Sequence, residues 1–222
     1  MADLLNSTTF PTPTIIPLGD SALLVRFGTT LSDEANRAAI AFALLLEREP
    51  LPGVVEIAPN LVSVLLRYDP LLTPPSALTG ELRLRLFGLK QGSAAALAWN
   101  IPVIFDGPDL DEVAAVLSLN PQAFIAAHCA RTLRVLATGF APGFVYCGLH
   151  EPALVMPRRM TVRPAVPAGS VLFAAGQTAI TATEMPTGWH VIGHTSFSNF
   201  APAAARPTQL SAGDLVNFSV LA

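Results

Sequence analysis

After Thr132 the chain changes texture, and this change limits its fold more than any other feature. From there on, apolar residues come in short β-rich pieces, 133–140 (LRVLATGF), 171–176 (VLFAAG), 189–195 (WHVIGHT) and 215–221 (LVNFSVL), separated by turns that contain Gly or Pro. Many short strands with regular turn signals argue for a barrel or a sandwich. No internal repeat is visible.

The first part of the chain has a different rhythm. Residues 22–27 (ALLVRF) read as a strand after the Gly19-Asp20 turn. Ser32 is a good N-cap, and the spacing of Ala39, Phe42, Ala43 and Leu46 predicts an amphipathic helix over 33–48, stopped by Pro50, Pro52 and Gly53. A hairpin follows over 54–57 and 61–68, then a second helix over 76–89. This order suggests a small α+β sandwich with its helices on one face of an antiparallel sheet. Gln91-Gly92-Ser93 marks its end, so the expected domains are 1–92 and 93–222. Beyond the boundary we expect a strand at 100–105 and a helix over 109–117, opened by a capping box of Asp109 and Glu112. A further helix runs from Asn120-Pro121 to about Ala130 and carries His128.

Composition excludes several functions. Half of the residues are hydrophobic, 13% are charged and the formal net charge is -3, which gives no basic footprint for nucleic acid. No apolar stretch approaches the roughly 20 residues of a membrane span. The Thr/Pro-rich start has no basic n-region, so a cytoplasmic location is expected. Lys90 is the single lysine, which rules out a phosphate-binding P-loop and disfavours a lysine Schiff base. Cys129 and Cys147 lack C-x-x-C spacing and read as packed thiols. His190 and His194 on one strand would share a face but lie about 13 Å apart, too far for one ion, so no metal site is expected. Ser170 is outside a G-x-S-x-G elbow, so a self-contained covalent hydrolase has no support.

Three Gly/Pro-rich stretches with aromatics stand out: 139–146 (GFAPGFVY), Pro157-Arg158-Arg159 with 166–170 (VPAGS), and Gly176-Gln177-Thr178 with 186–189 (PTGW). They are candidate pocket walls and equally candidate barrel corners. Arg158 is a candidate anion ligand, and Arg159 reads as solvated. Gln177 offers both a donor and an acceptor to a planar amide. His128 and His194 are candidate acid–base groups.

These motifs, in this order, with VPAGSV, IGHT and the N-terminal LGDSALLVRFG and LPGVVEIAPNLVSVLLRYDP, resemble the family of KipI, allophanate hydrolase subunit 1 and the B subunit of 5-oxoprolinase, over about Pro17 to Phe218. The resemblance implies an α+β chain, with the N-terminal sandwich followed by a cyclophilin-like β-barrel. It also implies a homologous partner of the C type, related to allophanate hydrolase subunit 2, together with a LamB/YcsF-type A subunit, and ATP used by the assembled complex on a small amide or lactam. By the same resemblance the expected site is a cleft with catalytic His128, Arg158 and His194 and substrate-binding Phe140, Gly143, Tyr146, Gln177 and Trp189. A KipI-like kinase inhibitor and a carboxyltransferase component of a biotin-dependent urea carboxylase are the competing roles. Thr187 stands where the family commonly has Gly, and Ala179 and Thr181 stand where it often has Gly and Tyr, so the substrate could differ from 5-oxoproline.

Overall fold

The computed structural model describes residues 12–89 and 96–221, and the chain divides into two compact units, Met1–Ala94 and Ala95–Ala222. The boundary expected at residues 92 and 93 lies outside the described residues.

The first unit holds strands β1 (Thr14–Pro17), β2 (Ala22–Arg26), β3 (Val54–Pro59) and β4 (Ser63–Tyr68) with helices α1 (Asp33–Arg48) and α2 (Pro75–Phe87). Its sheet is antiparallel in the order β1-β2-β4-β3. Ser32 caps α1 as expected, its hydroxyl accepting from the Ala35 N–H at 3.1 Å. Alternate residues of β2 and β4 (Leu23 and Val25, Val64 and Leu66) meet Phe42 and Leu46 of α1 and Leu78 and Leu82 of α2 in one core. Each such large side chain adds about 1.5–3 kcal/mol by burial. Strand β1 is an addition to the expected elements. Its Thr/Pro-rich sequence carries little strand signal, and it pairs along its whole length with β2.

The second unit comprises β5 (Ala98–Val103), α3 (Leu110–Val116), α4 (Pro121–Cys129), β6 (Leu133–Thr138), β7 (Val145–Gly148), β8 (Arg163–Val166), β9 (Ser170–Ala174), β10 (Gln177–Ile180), β11 (Met185–Thr187), β12 (His190–His194) and β13 (Leu215–Val220). Seven strands form one sheet, β12-β9-β10-β7-β6-β13-β5, and β8 pairs separately with β11. The sheet curls until its two edges touch: Ile104, just past β5, exchanges both backbone hydrogen bonds with His194 of β12 at 2.9 Å. Inside the curl, Val135, Val145, Cys147, Phe173, Ile192 and Phe218 pack with Val113 of α3 and Phe124 of α4. On the outer face, Val166 of β8 and Met185 of β11 cover Leu172, Ala174 and Ala179. Strands β9 and β10 are therefore buried on both faces, which is why VLFA shows no polar alternation.

The seam requires glycine. A Cβ on Gly193 would lie 2.2 Å from the Ile104 carbonyl oxygen, and one on Gly107 would lie 2.2 Å from that of Val191. Both obstacles are backbone, which cannot rotate aside. Gly193→Ala is expected to destabilise the protein by about 1–3 kcal/mol, the usual range for overpacking, read as a lower urea midpoint. An unchanged midpoint would mean that the seam opens freely.

Asp109 does not form the expected capping box. It occupies the N-cap of α3 without a side-chain cap bond. Its buried carboxylate is used elsewhere: it accepts from Arg159 Nη1 at 2.6 Å, Arg163 Nη2 at 2.5 Å and the Val191 N–H at 2.8 Å. Arg159, read from sequence as solvated, is therefore one arm of a largely buried ion cluster.

Candidate functional site

The parity of the strands decides which of the expected site residues can meet. In β7 and β10, Val145, Cys147 and Ile180 belong to the inner core, whereas Tyr146 and Ala179 belong to the outer cluster. Gln177, two residues from Ala179, shares the outer face with Tyr146, and Thr178 faces inward.

A continuous run of rings lies on the outer face. Phe140 contacts Phe144 at 5.8 Å between centroids, Phe144 contacts Tyr146 at 4.8 Å, and Tyr146 contacts Trp189 at 6.0 Å, all edge-on. The Arg158 guanidinium carbon sits 5.5 Å above the Trp189 ring, within cation–π range. Burial pushes the Tyr146 phenol above its ordinary pKa, with the nearby Arg158 charge opposing the shift. Phe140 is 78% exposed at a positive φ of 80°, so its ring stands out at the rim. Five of the expected residues, Phe140, Tyr146, Arg158, Gln177 and Trp189, thus share one face. Phe140 and Arg158 are exposed on it, Tyr146 is half-buried, and Gln177 and Trp189 are buried, so what a ligand can reach is an exposed ring and a guanidinium.

Gly143 has a packing role. At φ 70° its absent Cβ leaves room for Phe200 and Ala182, whose Cβ atoms would be 2.6 and 2.7 Å away, and its carbonyl accepts from Asn199 Nδ2. The residues that depart from the family pattern are also engaged. The Thr187 hydroxyl accepts the Trp189 N–H at 3.0 Å and fixes the turn that presents the indole. The Thr181 hydroxyl accepts from the Ser170 N–H at 3.0 Å and donates to the Pro167 carbonyl at 2.8 Å, which ties the VPAGS loop.

His128 does not approach this face. It is fully buried on the inner side of the sheet, its Nε2 2.8 Å from Thr178 Oγ1, and His150 Nε2 lies 2.8 Å from the same hydroxyl. One hydroxyl proton serves one acceptor, so at least one imidazole carries its proton on Nε2. Phe105, Phe124, Phe173 and Phe218 surround the His128 ring. Burial and then the neighbouring His150 hold the His128 pKa well below its ordinary value, and burial takes His150 down to about 4. Both are neutral at pH 7. Sequence reasoning missed His150, which no motif marks; only the β7–β10 register brings it to Thr178.

His194 is also separate. It is half exposed at the seam, with Nδ1 2.8 Å from Asp106 Oδ1. The expectation that His190 and His194 share a face is corrected by a bulge in β12: His190 pairs with Phe173 and His194 with Ser170, three residues apart and so on opposite faces. His190 bonds the Pro157 carbonyl. Among the described residues no group of three side chains is placed to hold a metal ion. Nor is any helix among them long and apolar enough to cross a membrane.

Residues 13–210 match the family model described as carboxyltransferase domain, subdomain C and D. The chain is 34% identical over 215 residues to the B subunit of 5-oxoprolinase from Bacillus subtilis, covering 90% of each. Among solved structures it resembles TTHA0988, with 40% identity and a TM-score of 0.80 over 90% of this chain. It spans about 40% of that protein's length. The urea amidolyase of K. lactis has the same fold at 18% identity, with a TM-score of 0.80 over 97% of this chain and 15% of that one.

Proposed function

We propose, on the premise that this chain belongs to the carboxyltransferase family of subdomains C and D, that it is the B-type component of an ATP-dependent 5-oxoprolinase complex. In such a complex, water is added across the lactam C–N bond at the expense of ATP. The observation that carries this reading is the match to the B subunit of 5-oxoprolinase along nine-tenths of both chains. The chain is read as incomplete by itself. Its partners would be a homologous C-type protein, the relative of allophanate hydrolase subunit 2, and a LamB/YcsF-type A subunit, with ATP turned over by the assembly.

The outer face supports a role in holding the reactants. The exposed Phe140 and half-buried Tyr146 offer apolar contact to a small ring, and Arg158, poised over the buried Trp189, offers a guanidinium for a carboxylate or phosphoryl group. The buried His128 is better suited to structure than to proton transfer with a ligand on that face. A carboxyltransferase role has in its favour the description of the family model and the fold shared with the urea amidolyase at 18% identity, whereas the likeness along nine-tenths of both chains is to a 5-oxoprolinase subunit; no particular feature favours kinase inhibition.

Two expected results test the reading. The purified chain alone should not hydrolyse ATP in the presence of 5-oxoproline, whereas the complex reconstituted with its C- and A-type partners should, with glutamate as product. Arg158→Ala should lower turnover of that complex roughly ten- to a hundredfold, the worth of a charge-assisted hydrogen bond, with little change in melting temperature because the side chain is exposed. Turnover by the isolated chain, or none by the full assembly, would overturn the proposal.

A further inference from the structure

Helix α2 is apolar on two opposite sides. Leu78 and Leu82 are buried in the core of the first unit. Leu84 and Phe87, on the far side of the helix, are 70% and 97% exposed. They continue a row of exposed residues, Ala77, Gly80, Leu84 and Phe87, at steps of three, four and three along α2. Those steps keep the row within about 80° of arc, and they are the spacing of a seam between two helices. Apolar residues all round a helix are the mark of one that is enclosed. Gly80 sharpens the point, because glycine inside a helix costs stability relative to alanine. Its backbone is helical, and no described atom lies within 4 Å of where its Cβ would stand. Neither conformation nor packing among the described residues requires glycine there, whereas close approach from outside would use one.

The row is complementary to itself. Its first half is small and its second half large. Two copies of α2 packed antiparallel, about a two-fold axis perpendicular to them and level with Leu82, set Leu84 of each over Gly80 of the other and Phe87 over Ala77. Large side chains then fill the space that small ones leave. In such a pair each flank meets the same flank of the second copy. Glu81 and Arg85, joined at 2.6 Å within the helix, therefore meet in reverse order. Each Glu81 stands about 3 Å along the axis from the other copy's Arg85, opposite charges within reach. On the other flank Arg83 meets Arg83, an exposed pair of like charges that costs little.

We infer that the exposed face of α2 pairs antiparallel with that of a second copy of this chain. A contact made by one helix pair falls below about 1,200 Å² in total, the low end of specific interfaces, so the expected state is a monomer–dimer equilibrium and not a permanent dimer. The inference is independent of the proposed function.

Sedimentation equilibrium of the full chain, from about 10 µM to 1 mM, should show the dimer forming. Leu84→Glu should weaken it roughly tenfold or more. Gly80→Leu separates specific packing from general stickiness. It adds apolar surface, yet it should weaken the dimer as much, because the new side chain fills the space that Leu84 of the second copy enters. Arg83→Gln should tighten the dimer about two- to fivefold, the worth of an exposed charge pair. In dilute solution, where the monomer predominates, none of the three should lower Tm, since all three sites are exposed. A chain that stays monomeric at the highest concentration, a dimer that tolerates Leu84→Glu, or one that Gly80→Leu strengthens would overturn the inference. If the chain is monomeric and Leu84→Glu instead weakens its binding to a C-type homologue, the face belongs to that partner.

Discussion

Asp109→Asn should lower the stability of the protein by about 3–5 kcal/mol, the cost of stranding buried charge, which for a chain of this length is a fall of roughly 10 °C in Tm. The carboxylate is nearly inaccessible, and its two arginines are mostly shielded, with side chains 19% and 31% exposed. The asparagine can still accept one N–H from Val191, but it cannot neutralise Arg159 and Arg163. Burial acts to raise the Asp109 pKa. The Arg163 hydrogen bond, the Val191 N–H and the charges of Arg163 and Arg159 outweigh it and hold the carboxyl below its ordinary value. Because the folded pKa is depressed, this contribution is present above the unfolded carboxylate value near 3.9 and is lost as pH falls through the folded one. Asp109→Asn combined with Arg159→Gln and Arg163→Gln should recover part of the loss, since no uncompensated charge then remains. Urea unfolding at pH 7 measures both. A single substitution costing less than about 1 kcal/mol, in the range of a surface ion pair, would show that the cluster is solvated in solution.

The Asp109 cluster also shows what a sequence can and cannot disclose. Caps that act within a few residues were readable: Ser32 starts α1 where expected, and Asn120 accepts from the Ala123 N–H at the start of α4. Asp109 had the same local pattern, yet arginines 50 and 54 residues away took its carboxylate. Local rules fail where a distant partner offers a stronger bond. The candidate site divides in the same way. Motif spacing identified the aromatics and arginine of the outer face, because Gly- and Pro-rich loops with rings are unusual in composition. The face on which each residue of a buried strand lies depends on register, and β9 and β10 are apolar on both sides. His128 therefore lies away from the cleft expected for it, beside His150, which no motif marks.

The inner histidines predict how the protein responds to acid. His150 falls from an ordinary 6.5 to about 4 through burial, and His128 is lowered for the same reason, with the neighbouring His150 charge adding to it. The groups against them are uncharged: Thr178, four phenylalanine rings around His128, and the Cys129 thiol, whose pKa burial raises. An unfolded chain protonates these imidazoles near 6.5, whereas the folded chain does not until pH is far lower. Between those values the unfolded state binds more protons, so stability is complete above pH 6.5 and falls as pH drops toward 4. For His150 alone the loss over that window is about 3 kcal/mol, at about 1.4 kcal/mol per pH unit, and His128 adds to it in the same direction. Acid weakening thus begins well before Asp109 is protonated. Urea midpoints at pH 7, 5.5 and 4.5 should fall progressively for the wild type. His150→Gln should be less stable at pH 7 through its imperfect fit, yet show a shallower fall between pH 6.5 and 4, because one titrating ring is gone. A wild-type midpoint that is flat from pH 7 to 5 would mean that water reaches the His128–Thr178–His150 cluster and that both rings titrate as they do in the unfolded chain.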